Sequence, residues 1–240
     1  MTKLMSLLAL CVSLAFASAA LSKPLFHEKR YPKGDGPFPA VILLHSSGGF
    51  YTVLNQLKPY TQRGYAAYAP DFFTRHKITK ASRYDTWTRY RRDIEKELVE
   101  IVEVMKADPK VDKNNIFAAG FSNGGYWATF LAGQNHVNAG ASHYGVWWWR
   151  TFNGYPVQYL SKESNPVLAL HGLKETVSKW EHTMPQFSAA EWASPKFKKV
   201  LFPNVGHSWD CKLCKEDGYN AEITQKALDL TIEFFEQNKK

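Results

Sequence analysis

The chain has 240 residues, of which 45 % are hydrophobic and 22 % are charged, and it carries a formal net charge of +8 at pH 7. That composition is typical of a globular protein and excludes a disordered or fibrous chain. The positive charge is dispersed and accompanies no recognisable nucleic-acid-binding module, so we expect a solvated basic surface and no nucleic-acid partner.

Residues 1–20 have the organisation of a secretory signal peptide. Lys3 supplies a positive charge, residues 4–16 are apolar, and small residues up to Ala20 supply a cleavage site. The apolar stretch is too short to span a bilayer, and no later stretch is long enough, so we expect no stable membrane insertion. Residues 21–240 are then expected to be exported to the periplasm or secreted, and to fold as a single domain.

Strands and helices are predicted to alternate along residues 21–240. The unbroken apolar run at 40–44 is typical of a strand covered on both faces. In 85–107, apolar residues recur every three or four positions, which predicts an amphipathic helix capped by Asp85. The predicted strands are 40–44, 65–69, 116–119, 139–144, 167–170 and 199–202, and the predicted helices are 51–63, 85–107, a segment that starts at 125, and 221–236.

This alternation predicts an α/β fold with a mostly parallel central sheet and helices on both faces. Active sites in such sheets lie at the carboxyl ends of the strands. The residues best suited to chemistry in this chain all follow predicted strands, and we therefore expect them to meet at one edge of the sheet.

The segment 116–125 is the most informative part of the chain. It reads as a short apolar strand, the pentapeptide G-F-S-N-G at 120–124, and the start of a helix. A G-x-S-x-G turn between a strand and a helix is the context in which serine becomes a nucleophile. Glycines flank Ser122 because a Cβ at either place would collide with the neighbouring strand or helix. The alternative is a glycine-rich turn with no catalytic role.

A serine nucleophile needs a base, and it needs a third group that holds the base in the right tautomer. In α/β-hydrolases the chain order is serine, acid, histidine. His207 follows the last predicted strand, where this order places the base. His136 and His143 come too early in the chain, and His171 ends a strand. We therefore predict that His207 is the base; the alternative is an unreactive histidine in a surface loop.

The acid is expected to be a glutamate, because no aspartate lies between Ser122 and Asp210. The strand at 167–170 is followed by a short loop that carries Glu175, from which a carboxylate can reach His207. Of the other glutamates considered, one precedes that strand and two fall in a predicted helix, where solvation is more common. The glutamates weighed for this role are Glu163, Glu175, Glu181 and Glu191.

The negatively charged tetrahedral intermediate of acyl transfer needs preorganised N–H donors. One is expected to be the backbone N–H of Asn123, directly after the nucleophile. The second should come from the loop at 45–49, and we predict the N–H of Ser47. Neither side chain needs to act.

Trp147, Trp148 and Trp149 follow the predicted strand at 139–144. Three consecutive tryptophans cannot all face one core, so at least one should be exposed or line a cleft near the active site. One interpretation is an aromatic wall that binds an acyl, aryl or sugar group of the substrate. The other is packing beneath a long loop, and the sequence leaves both open.

Cys211 and Cys214 are the only cysteines after the predicted signal peptide. In an oxidising compartment such a pair can close a small disulfide ring. Together with His207 they could instead bind zinc, but a fourth ligand is not apparent nearby. We therefore favour the disulfide and predict no metal site.

These segments resemble the dienelactone hydrolase family of α/β-hydrolases over most of the chain. The family's first core strand and oxyanion loop resemble residues 39–45, and a further hallmark segment resembles 63–71. Its nucleophile turn resembles 120–125, its His-Gly-x-x-Asp acid loop resembles 171–175, and its Gly-His base resembles 206–207. The resemblance implies the α/β-hydrolase fold and a catalytic triad of Ser122, His207 and Glu175.

Three residues depart from the enzymes that give this family its name. Those enzymes use a cysteine nucleophile, a glutamate after the oxyanion-loop histidine, and an aspartate as the acid. The corresponding residues here are Ser122, Ser46 and Glu175. The pattern favours a serine carboxylesterase over dienelactone hydrolysis.

The sequence thus predicts an exported serine hydrolase that cleaves a small-molecule ester, thioester or lactone through an acyl-enzyme. No metal or organic cofactor is expected to take part. The alternatives are a peptidase related to prolyl oligopeptidase, and a metal-binding or catalytically silent protein built on a hydrolase fold.

Overall fold

The computed structural model describes residues 23–150, 154–212, 214 and 218–240. The predicted signal peptide lies outside these residues. Within them, a seven-stranded sheet has the order β1-β3-β2-β4-β5-β6-β7. Strand β1 pairs antiparallel with β3, and the other neighbours are parallel. The strands are β1 His27–Arg30, β2 Phe38–Leu44, β3 Ala66–Pro70, β4 Val111–Phe121, β5 Gly140–His143, β6 Val167–Gly172 and β7 Phe197–Phe202.

The helices cover both faces of this sheet. They are α1 Leu57–Gln62, α2 Arg91–Ala107, α3 Asn123–Gly133, α4 Trp180–Ala193 and α5 Ala221–Glu236. Residues of α2, α3 and α4 share one hydrophobic core, and residues of α1 and α5 share the other. Among the described residues, no helix has both the length and the apolar composition that crossing a bilayer requires.

Strand β2 shows why the sheet needs unbroken apolar runs. Ile42 and Leu44 belong to the core beneath α2, α3 and α4, whereas Val41 and Leu43 belong to the core beneath α1 and α5. Successive side chains of a strand point to opposite faces, so every position must be apolar when both faces are covered. This packing confirms the predicted α/β architecture.

The predicted start of the second helix is wrong. Residues Arg83–Thr86 form a short 3₁₀ turn, and α2 begins only at Arg91. Asp85 lies in the turn, where its carbonyl accepts a hydrogen bond from the Tyr90 N–H at 2.9 Å, so it does not cap α2. Trp87 belongs to the same core and is 1 % exposed, but it packs from the connecting segment. Its place in the apolar pattern extended the prediction beyond the true helix.

The predicted helix at 51–63 is also shorter than expected. Two 3₁₀ turns, Phe50–Thr52 and Leu54–Gln56, precede α1. Strand β4 in turn begins earlier than the apolar run suggests, because Val111 pairs with Phe38 beyond a register shift. The C-terminal helix α5 has the predicted bounds.

Candidate active site

Ser122 occupies the single-residue turn between β4 and α3. Its backbone has φ 54° and ψ −111°, a left-handed conformation that costs energy for any residue other than glycine. Three backbone hydrogen bonds hold this turn: the Ser122 N–H donates to the His143 carbonyl at 3.0 Å, and the Ser122 carbonyl accepts from the N–H groups of Gly125 at 2.9 Å and Val146 at 3.2 Å. The strained turn is therefore fixed to the end of β5.

The glycines of the turn are required by close backbone contacts. A Cβ on Gly120 would lie 1.9 Å from the Gly124 carbonyl oxygen, and a Cβ on Gly124 would lie 2.0 Å from the Leu44 carbonyl oxygen. Both distances are far below van der Waals contact, so no side chain fits at either position. The collision with helix and strand that the sequence predicted is confirmed.

Three side chains from three distant segments form one chain of hydrogen bonds. His207 Nε2 lies 2.8 Å from Ser122 Oγ, and His207 Nδ1 lies 2.8 Å from Glu175 Oε2. Ser122 is 4 % exposed, and His207 and Glu175 are each 6 % exposed. The arrangement fits a neutral imidazole that accepts from the serine hydroxyl at Nε2 and donates to the carboxylate from Nδ1.

The surroundings of Glu175 favour its ionised form. Burial raises the pKa of this carboxyl group, but the hydrogen bond and charge of His207, helped by His171 and the Val177 N–H, outweigh burial and lower the pKa below its usual value. The second oxygen, Oε1, accepts the N–H groups of Val177 at 2.8 Å and Ser178 at 3.3 Å. A buried carboxylate whose oxygens are both occupied is held in one orientation.

The other glutamates that the sequence left open do not reach the imidazole of His207 by any hydrogen bond among the described residues. Glu163 lies in an exposed turn before β6, and Glu181 lies on an exposed face of α4. Glu191 forms an ion pair with Lys199 of β7. Glu181 and Glu191 thus occupy the solvated helix positions that the sequence suggested, and Glu163 precedes β6 as expected.

The two predicted oxyanion donors lie on adjacent segments. Asn123 is the first residue of α3, and the first N–H groups of a helix have no partner within it. The loop after β2 folds on itself: Gly48 N–H donates to Ser46 Oγ at 3.2 Å, and Gly49 N–H donates to the Ser46 carbonyl at 3.0 Å. Among the hydrogen bonds of the described residues, none uses the Ser47 N–H, so that donor is available to a ligand.

The loop at 45–49 and the turn at Ser122 come together at His45. A Cβ on Gly124 would lie 2.9 Å from the His45 carbonyl oxygen. The His45 ring stacks on Phe72 with centroids 3.7 Å apart, and its Nδ1 lies 2.9 Å from the Ser46 carbonyl. Burial lowers the pKa of His45 to about 4. His45 is therefore a neutral, packed ring near pH 7.

The three tryptophans have different environments. Trp147 is 1 % exposed and packs against Phe187 in the core. Trp148 is half-buried and stacks on His182 with ring centroids 4.1 Å apart. Trp149 is half-buried and stacks on a tyrosine, Tyr84, with centroids 4.8 Å apart.

The tryptophan segment borders the triad at two points. Val146, at its start, donates its N–H to the Ser122 carbonyl. The next N–H, that of Trp147, donates to Ser178 Oγ in the acid loop at 3.3 Å. Packing thus accounts for Trp147, whereas Trp148 and Trp149 retain partly exposed rings that stack on His182 of α4 and on Tyr84.

Cys211 and Cys214 are joined by a disulfide with an S–S distance of 2.06 Å, four residues beyond His207 at its nearer end. Among the described residues, no three histidine, cysteine, aspartate or glutamate side chains are grouped as metal ligands.

Sequence reasoning missed a hydrogen-bonded group next to His207. Tyr144 Oη donates to Asp210 Oδ1 at 2.6 Å, and Gln56 Nε2 donates to Asp210 Oδ2 at 2.7 Å. The Tyr144 ring also contacts the His207 ring edge-on, with centroids 4.9 Å apart. The partners of Asp210 lie 66 and 154 residues away along the chain. The one signal in the sequence was an aspartate three residues after the predicted base.

Comparison with known proteins agrees with this architecture. The sequence model of the dienelactone hydrolase family matches residues 29–239. A Yersinia pestis protein provisionally named a carboxymethylenebutenolidase is 23 % identical over 220 residues, which cover 85 % of this chain and 79 % of that protein.

Two solved structures share the fold. A Klebsiella pneumoniae protein provisionally described as a dienelactone hydrolase superposes with a TM-score of 0.71 at 21 % identity, covering 88 % of this chain and 92 % of that one. Esterase 2 of Thermogutta terrifontis superposes with a TM-score of 0.67 at 18 % identity, covering 88 % of each chain. At these identities the likeness establishes the α/β-hydrolase fold alone.

Proposed function

Because the chain belongs to the dienelactone hydrolase family, we propose that it is an exported serine hydrolase that cleaves a carboxylic ester, thioester or lactone. The single observation that carries this proposal is the chain of hydrogen bonds from Ser122 through His207 to Glu175. Such a chain supplies a nucleophile, a base and a group that orients the base.

Acylation begins when Ser122 Oγ attacks the carbonyl carbon of the substrate. His207 accepts the serine proton at Nε2, and the carbonyl oxygen becomes an oxyanion. The backbone N–H groups of Ser47 and Asn123 donate to this oxygen. The tetrahedral intermediate collapses, the C–O or C–S bond to the leaving group breaks, and His207 returns the proton to the departing alcohol, thiol or ring oxygen.

Deacylation repeats the same steps with water. His207 removes a proton from the water that attacks the acyl-enzyme, and it then returns that proton to Ser122 Oγ as the acid product leaves. Glu175 stays ionised throughout. It keeps the proton of the neutral imidazole on Nδ1 and stabilises the imidazolium that forms twice in each cycle. These residues complete the cycle by themselves.

The family implies a small-molecule substrate. We infer that the exposed faces of Trp148 and Trp149 bind its apolar part, since the segment before them is hydrogen-bonded to Ser122 and partly exposed aromatic rings supply a large apolar contact area. The provisional name of the Yersinia pestis relative points to a lactone, and the name of the Thermogutta terrifontis protein points to an ester. Lactones and open-chain esters are both cleaved by the same acyl transfer to serine.

Hydrolysis of p-nitrophenyl esters with short and long acyl chains tests the proposal. Ser122→Ala should lower turnover by about a thousandfold or more. Ser188→Ala provides a matched control, because Ser188 lies on an exposed face of α4. Equal turnover by the wild type and Ser122→Ala would show that Ser122 is not the nucleophile. Faster cleavage of peptide p-nitroanilides than of all esters would favour the peptidase alternative.

Export is tested separately by cell fractionation and N-terminal sequencing of the mature protein. We expect the protein outside the cytoplasm, with its first residue close to position 21. A cytoplasmic protein that retains residues 1–20 would contradict export but would leave the hydrolase proposal intact.

A further inference from the structure

Asp210 holds together three segments that surround the triad. It lies on the His207 loop, half-buried, three residues after His207. Its Oδ1 accepts the Tyr144 hydroxyl at 2.6 Å, and its Oδ2 accepts the Gln56 amide at 2.7 Å. Tyr144 follows the end of β5, and Gln56 ends the 3₁₀ turns that follow the oxyanion loop. One carboxylate therefore links the His207 loop to the segment after β5 and to the 3₁₀ turns that follow the loop at 45–49.

Tyr144, which is hydrogen-bonded to Asp210, also packs against the His207 ring. Its ring is 3 % exposed and meets the imidazole with centroids 4.9 Å apart and planes at 67°. The same ring meets Trp209 with centroids 4.8 Å apart and planes at 85°. Tyr144 has φ 36°, a conformation that a large side chain adopts only when surrounding contacts impose it. The hydroxyl bond to Asp210 is one of those contacts.

A partly open cavity of about 190 Å³ lies against Asp210 and Gln56. Asp210, Tyr60, His143 and Trp209 are among the residues that line it. Packed protein resists displacement, whereas a side chain beside a void can move into it. The hydrogen bonds of Asp210 therefore restrain a loop that the cavity would otherwise allow to shift.

Resting on the proposed function, we propose that Asp210 is a positioning residue: through Tyr144 and Gln56 it holds the His207 loop so that the imidazole meets Ser122 and Glu175 together. Asp210 forms no hydrogen bond with His207 among the described residues, so it acts through its neighbours. Its role differs from that of Glu175, which bonds the imidazole directly.

The charge environment agrees with this role. Burial raises the pKa of Asp210, and the Tyr144 hydrogen bond and the charge of His207 oppose that rise. Loss of the Tyr144 hydroxyl would leave one oxygen of the partly buried carboxyl group without its hydrogen-bond donor. The titratable groups that face His207 are Glu175, His171, Tyr144 and Asp210.

The test compares Asp210→Asn, Gln56→Met and the control Asp229→Asn on one p-nitrophenyl ester. Asp210→Asn preserves the shape of the side chain but removes its charge and one of its two acceptors, so the Gln56 amide must rotate to keep a hydrogen bond with it. Misplacement of a base by a fraction of an ångström lowers the chemical rate but leaves substrate binding intact. We expect kcat to fall about tenfold in Asp210→Asn and about threefold in Gln56→Met, with KM within about twofold of the wild type in both.

Asp229→Asn removes an aspartate from α5, which covers the same face of the sheet; the Asp229 side chain is half-exposed. We expect its kcat and KM to match the wild type. Gln56 is partly exposed, so Gln56→Met should fold even if Asp210→Asn does not, and it then decides the question. Thermal unfolding of each variant shows whether it is folded.

Wild-type kcat in folded Asp210→Asn and Gln56→Met, or a change of KM alone, would overturn the positioning role. A wild-type protein that neither hydrolyses esters nor reacts at Ser122 would instead refute the proposed function, and the inference with it. The two failures are therefore distinguishable.

Discussion

His207 Nδ1 lies 2.8 Å from Oε2 of Glu175, whose side chain is entirely buried. The Glu175 carboxylate thus meets the imidazole where bulk water does not reach the carboxylate. A buried carboxylate that loses its partner is costly, and an imidazole that loses its carboxylate can rotate or adopt the wrong tautomer. Substitution of Glu175 should therefore reveal how much the orientation of His207 contributes to catalysis.

Glu175→Gln should lower kcat by about a thousandfold, because an amide can present its N–H₂ group to His207 Nδ1 and favour the wrong tautomer. Ester hydrolysis measures the effect. Glu181→Gln is the matched control, since Glu181 is exposed on α4, and it should keep wild-type activity. A larger loss of activity in Glu181→Gln than in Glu175→Gln would show that Glu175 is not the acid of the triad.

The oxyanion donor is predicted to be the backbone of Ser47 and not its side chain. Ser47→Ala should therefore be nearly as active as the wild type. Ser47→Pro removes the N–H and should lower kcat about a hundredfold. Proline fits the turn, because the Gly49 N–H donates to the Ser46 carbonyl and position 47 is then the second turn residue, which favours proline. Equal rates in the two variants would exclude this donor.

Trp147 and Trp148 should respond differently to truncation. Trp147→Ala opens a cavity in the core and should lower the free energy of unfolding by about 3–5 kcal/mol. Trp148→Ala should change stability much less but raise KM for aryl or long-chain esters, because it removes a partly exposed ring from the proposed substrate site. Denaturant unfolding and steady-state kinetics measure the two effects. If Trp148→Ala had the wild-type KM for every ester, Trp148 would not be part of the substrate site.

Stability should fall in mildly acidic solution. Burial lowers the pKa of His143 to about 3, and burial is also the largest influence that lowers the pKa of His45 and of His171 to about 4. An unfolded chain protonates histidine near pH 6.5, so below that pH the unfolded state binds more protons than the folded state. The free energy of unfolding should then fall as pH falls from about 6.5 to about 4, by up to about 1.4 kcal/mol per pH unit for each histidine.

Denaturant unfolding between about pH 7.5 and pH 4.5 measures this slope. His143→Gln should flatten it, because one buried group no longer takes up a proton on unfolding. Ser188→Ala is the control, since Ser188 is exposed on α4 and carries no titrating group, and it should leave the slope unchanged. A slope in His143→Gln equal to that of the wild type would contradict the assigned cause.

The sequence was sufficient for the fold because the sheet imposes strict local patterns. The run at 40–44 has to be apolar throughout, since Val41 and Ile42 belong to opposite cores. The glycines at 120 and 124 are equally constrained by backbone contacts. Such constraints act over a few neighbouring residues and can be recognised without coordinates.

Elements whose surroundings come from distant segments could not be predicted. Trp87 continues the apolar spacing of α2 and yet packs from a turn, because burial alone does not require a helix. The sequence also could not assign separate environments to three adjacent tryptophans. Asp210 escaped notice because the residues that hold it, Tyr144 and Gln56, are brought to it only by the folded chain.

The central claim is that Ser122 is an activated nucleophile. It is tested most directly by treating the protein with a fluorophosphonate and locating the adduct by peptide mass spectrometry. We expect one adduct per chain on the peptide that contains Ser122, and none in Ser122→Ala or after denaturation. Equal labelling of the wild type and Ser122→Ala, or an adduct on another residue, would contradict the claim.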